Sequence, residues 1–163
     1  MTDRERWIRQ WEGEYPAFVR VIKAVPAAKL DYRPHERSRS AAELVWLLAC
    51  TEQAGVELMD TGKIDWKETP PLKSLDEMIA AFERNHMELA TRLKKLDDTA
   101  WQRKAQFLAG GHLIMEGTVA EFLWMSLFDA VHHRGQLSVY LRPMGGKVPS
   151  IYGPSADDMD MGH

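Results

Sequence analysis

With 163 residues, 45% of them hydrophobic and 28% charged, the chain has the length of one domain and enough apolar content to bury its own core. Its formal net charge of -3, with acidic and basic residues interspersed, excludes the broad positive field that a phosphate backbone attracts. The lone Cys50 excludes an internal disulfide, and no apolar run approaches the ~20 residues a bilayer needs, so the expectation is a cytoplasmic protein with no membrane partner. MTDRERWIRQ is charged and lacks the apolar stretch of a secretory signal.

Trp7, Ile8, Trp11, Tyr15, Phe18, Val19, Ile22 and Val25 recur in steps of three and four, which predicts a first helix. The stripe keeps phase across Pro16, so a kinked helix or two abutting pieces is expected there, and Pro26 ends it. The basic residues from Arg33 to Arg39 lie in a connector and read as solvated surface, as do those from Arg92 to Lys95. Ser40 and Glu43 have capping-box spacing and open a second helix, with Leu44, Leu47, Leu48, Thr51 and Leu58 on its inner side and Gly62 at its end. KIDWKETPPLK reads as a linker, in which Trp66 covers an end of the bundle or contacts a ligand.

Ser74 and Glu77 repeat the capping box and open a third helix, whose seam runs through Leu75, Ile79, Phe82, His86, Leu89, Leu93 and Leu96. After Asp97 the pattern loosens: a short helical turn is expected near Trp101, then an irregular passage through Gly110 and Gly111. A last helix runs from about Thr118 to Arg142, stopped by Pro143 and Gly145. The tail KVPSIYGPSADD is expected to fold back and pack Val148, Ile151 and Tyr152 on the bundle. Four amphipathic helices and no convincing strand predict an all-α four-helix bundle.

Asp129 and His133 lie four residues apart on the inner stripe of the last helix, so they share a face. Such a pair is either a satisfied buried pair or two ligands of a divalent metal. His132 points about 100° away and reads as a packing or interface residue. Gly135 costs a mid-helix position about 1 kcal/mol against alanine, which suggests a close backbone approach. Gln136, one turn beyond His133, is placed to hold a side chain or water at the edge of the site, and Tyr140 reads as core with its hydroxyl satisfied.

The stretches YRPHERSRSAAELVW, LFDAVHHRGQ, HHRGQLSVYL and RPMGGKVPSIYGPSADD resemble the DinB/YfiT-like family, bacterial four-helix bundles described as metalloenzymes. The resemblance implies one domain over residues 1–163, a bundle of that type with its C-terminal tail packed on it. It also implies a homodimer and a divalent metal, zinc or nickel, held by Asp129 and His133. The family's remaining ligand is a histidine of the second helix; Leu47 stands there in this chain, and leucine cannot bind a metal. His86, Glu43, Cys50 or solvent is left to supply the third donor, and each residue has a plain structural reading as well: a boundary histidine, a helix cap and a small buried hydrophobe. The activity implied is metal-dependent transfer of a small-molecule thiol to an electrophile. Leu47 motivates the competing expectation, a metal-free binding or dimerisation module.

Overall fold

The computed structural model describes residues 1–159. Four long helices form the bundle: α1 (Asp3–Lys23), α2 (Ala41–Thr61), α3 (Leu75–Leu93) and α5 (Val119–Leu141), with a one-turn helix α4 (Asp98–Trp101) before the last. Each long helix opens on a complete capping box, formed by Thr2 and Glu5, Ser40 and Glu43, Ser74 and Glu77, and Thr118 and Glu121. These boxes satisfy the free N–H groups of the first turn and fix where each helix starts. α1 runs unbroken through Pro16, and α2 ends on Gly62 at φ 76°, a left-handed conformation that glycine adopts without penalty.

The core falls into two clusters along the bundle. One gathers Phe18, Val21, Ile22, Leu48, Phe82 and Leu137. The other gathers Trp7, Trp11, Leu58, Leu89, Trp101 and Leu123. Between them lies a polar layer, in which Glu52 Oε1 accepts from Trp11 Nε1 at 3.1 Å. His86 Nδ1 lies 3.5 Å from the same oxygen, outside hydrogen-bonding geometry, and its ring is stacked between Trp11 and Tyr15 with centroids 3.9 Å from each.

The expectation of an all-α chain is corrected by a three-stranded sheet packed on one end of the bundle. Its strands β1 (Lys63–Trp66), β2 (Lys104–Ala109) and β3 (His112–Thr118) lie in the order β1-β2-β3. β1 pairs parallel with β2, from Lys63 opposite Gln106 to Trp66 opposite Ala109. β2 and β3 form an antiparallel hairpin with a bulge near Phe107 and Leu108. Gly110 and Gly111 close it, at φ 58° and 83°, the two positive values that a tight hairpin turn requires. Trp66 therefore belongs to a strand rather than a linker. The passage through the two glycines is a regular turn.

The tail folds back as expected for Val148 and Ile151, which pack against the first cluster. A short helix α6 (Ala156–Met159) carries Asp157, whose carboxylate accepts from the Val148 N–H at 2.7 Å and Arg142 Nε at 3.0 Å. The Tyr152 side chain remains largely exposed, but its hydroxyl bridges Arg134 Nη2 at 2.6 Å and Glu14 at 3.0 Å, and its ring lies 5.1 Å from the Arg134 guanidinium. Arg134 and Glu14 are themselves buried and paired at 2.5 Å.

Candidate functional site

A cleft of about 290 Å³ opens where α2, α5 and the sheet meet. Its walls are apolar for the most part, from Leu47 and Ala54 on α2, Ile64 and Trp66 on β1, Phe107 on β2 and Met125 on α5. The hydroxyl residues Thr51 and Ser126 also line it, and Asp129, His133 and Arg39 supply the charge. An apolar cleft with a few convergent polar groups is the usual form of a small-molecule site.

The helix places Asp129 and His133 one turn apart, and their side chains meet: Asp129 Oδ2 lies 3.3 Å from His133 Nε2. The other ring nitrogen, Nδ1, lies 2.8 Å from Gln136 Oε1. The imidazole is thus held at both ends, and Gln136 takes the edge position expected of it. The bond to Asp129 raises the His133 pKa above the ordinary histidine range, against partial burial, and Gln136 adds to the rise. The same bond holds the Asp129 carboxyl below its usual range. Asp129 is the more open partner, with 55% of its side chain exposed against 16% for His133.

The other donors do not converge on this pair. His86 sits in the polar layer, between Trp11 and Tyr15. Glu43 caps its helix and pairs with Arg33 at 3.0 Å. Cys50 opens on a neighbouring cleft, with its sulfur 4.0 Å from Thr69 Oγ1 and its thiol pushed up by burial. Leu47, only 7% exposed, lines the cleft that holds Asp129 and His133. Among the described residues no three histidine, cysteine or carboxylate side chains gather in a way that could hold a metal ion. Asp129 and His133 are the two donors the cleft offers, and a three-donor site does not fit the residues present.

A model of the DinB family matches residues 1–161. The chain belongs to the DinB family. Solved DinB-like proteins share its fold. One from Bacillus cereus is 19% identical with a TM-score of 0.74, covering 91% of this chain and 97% of its own. One from Bacillus subtilis is 17% identical with a TM-score of 0.70, covering 92% and 99%. A histidine-to-alanine mutant of a mycothiol-dependent maleylpyruvate isomerase is also similar, at 14% identity and a TM-score of 0.55, over 91% of this chain and 62% of that one. No curated protein matches the chain.

In this DinB protein the sequence pattern located Asp129, His133 and Gln136, but it missed Arg39, Ser126, Phe107 and Met125. Arg39 was hidden within a run of surface arginines, with no periodicity to mark it. Phe107 belongs to the unrecognised sheet. Tyr140 is as expected, buried and donating its hydroxyl to the Arg39 carbonyl at 3.1 Å. His132 is exposed, its ring 5.1 Å from that of His133. The close approach expected at Gly135 does not occur within the protomer: an added Cβ meets no atom of the described residues within 4 Å.

Proposed function

We propose that this DinB protein binds a small molecule with an apolar body in the 290 Å³ cleft, and that Asp129 and His133 meet its polar group as an acid–base pair. The observation that carries this reading is the company the pair keeps. The imidazole is already oriented by a carboxylate and an amide, and Leu47 occupies the wall where a third metal donor would be needed. An oriented histidine with a raised pKa suits proton donation near neutral pH.

A second reading is supported by the accessibility of Asp129 and by the thiol-dependent isomerase among the structural neighbours. In it solvent completes a zinc or nickel site on Asp129 and His133, and the bound metal serves a thiol and an electrophile. Calorimetric titration of chelator-treated, untagged protein with zinc and with nickel separates the two. Absence of saturable binding supports the acid–base reading. One equivalent of metal bound by wild type and lost in His133→Ala overturns it in favour of the second.

Pairing of two copies is a further part of the proposal. On α5, Phe128 and Val139 are 65% and 72% exposed, and with His132 and Gly135 between them they form one outward stripe. Sedimentation equilibrium reporting only monomer at high protein concentration contradicts it.

A further inference from the structure

The geometry points to Arg39 as the residue that selects the ligand of this cleft, by receiving a carboxylate on an otherwise apolar molecule. The inference rests on the small-molecule reading above and names the class of that molecule. Two clefts, of about 290 and 260 Å³, share Arg39, Leu47 and Trp66 as walls, so Arg39 stands where they meet. Its backbone is fixed: its carbonyl accepts from Tyr140, and the next residue, Ser40, caps α2. Its guanidinium is therefore presented from a rigid base.

What the guanidinium holds is informative. Nη2 of Arg39 pairs with Glu68 Oε1 at 2.5 Å, a carboxylate on the irregular segment that follows β1. The contact uses one nitrogen and one oxygen, whereas a guanidinium can take a free carboxylate through two parallel hydrogen bonds. Glu68 has 65% of its side chain exposed, and an ion pair so open to solvent contributes little. Glu68 thus marks where a carboxylate fits while remaining easy to displace. Glu68 is a wall of the 260 Å³ cleft, so the carboxylate it marks lies on that side of Arg39, while the adjoining 290 Å³ cleft, with Trp66, Phe107 and Met125, suits an aromatic or aliphatic body.

The test uses two probes of nearly the same size and shape, the anionic 4-phenylbutanoate and its neutral amide 4-phenylbutanamide, titrated calorimetrically into the full, chelator-treated chain. Wild type is expected to bind the carboxylate about tenfold more tightly than the amide, as for a charge-assisted hydrogen bond. Arg39→Gln abolishes that preference. Glu68→Gln tightens the carboxylate several-fold and leaves the amide unchanged, because it removes only the internal competitor. Equal affinity of wild type for both probes, or a preference surviving in Arg39→Gln, overturns the role of Arg39 while leaving the cleft reading intact. Binding of neither probe overturns the cleft reading and this inference with it.

Discussion

Leu47 of α2 and His133 of α5 are walls of the same cleft, one apolar and almost fully buried, the other paired with Asp129 at 3.3 Å. Replacing Leu47 with histidine places a third donor beside Asp129 and His133. The Leu47→His variant is expected to bind one zinc per chain at least ~100-fold more tightly than wild type, since even outer-shell partners change metal affinity by 10–100-fold. Without metal it should be less stable by about 1–3 kcal/mol, because a buried apolar side chain becomes polar. Zinc titration followed by thermal denaturation with and without the ion measures both effects.

The pair on α5 makes stability depend on pH in a defined window. His133 has a raised folded-state pKa, so its contribution is complete below the unfolded value of about 6.5 and is lost as pH rises through the folded one. Asp129 has a lowered one, so its contribution is present above the unfolded value of about 3.9 and is lost as pH falls through the folded one. The two overlap between about pH 4 and 6.5. Asp129→Asn should cost about 0.5 kcal/mol there, as for an open helical pair one turn apart, and less once the pH has risen through the raised His133 value. Ring resonances of His133 titrate at lower pH in the variant; an unchanged midpoint contradicts the pairing.

How much of this was legible in the sequence depended on how local its cause was. The helix starts at Ser40 and Ser74 were readable because a cap and its partner lie three residues apart. Asp129 and His133 were readable because helical periodicity fixes their shared face. The sheet was not, because β1 and β2 pair across the whole of α3 and none of the strands exceeds seven residues. Its one local mark, the pair Gly110 and Gly111 between QFLA and HLIM, is a hairpin signal read instead as irregular chain. Cleft residues brought by the sheet, Phe107 above all, were hidden for the same reason.

That hairpin turn gives a direct check on the sheet. Gly110 has φ 58°, where a side chain crowds the backbone, and the N–H of Gly111 donates to Asp65 Oδ1 at 2.8 Å. Gly110→Ala should lower stability by about 1 kcal/mol. Faster amide exchange should appear in residues 104–118 and spare α1 and α3. Exchange that accelerates evenly over the chain would show that the turn does not close a separate hairpin.

Glu14 and Arg134 form the most deeply buried ion pair among the described residues. Both are buried, and Tyr152 closes the pair from the tail with its hydroxyl. Arg134→Met leaves the Glu14 carboxylate buried without its cation and should cost about 3–5 kcal/mol. Adding Glu14→Gln to that variant should recover part of the loss. Tyr152→Phe removes only the bridging hydroxyl and should cost about 1 kcal/mol. Urea denaturation of these variants and of Glu14→Gln alone gives the comparison, and additive losses from the two pair residues would contradict the coupling.

Gly135 separates folding from pairing. Within the protomer a Cβ at this position meets no described atom within 4 Å, so nothing in the bundle requires glycine there. Gly135→Ala should therefore stabilise the monomer by about 1 kcal/mol, the ordinary gain in a helix interior. On the stripe between Phe128 and Val139, however, the proposed pairing would use glycine to let a second helix approach closely. Gly135→Leu should keep the fold, because the added side chain points into open space, yet weaken self-association about tenfold by holding the two helices apart. Sedimentation over a range of protein concentrations reads the second effect, and circular dichroism the first. Unchanged association in Gly135→Leu would move any pairing surface away from this face of α5.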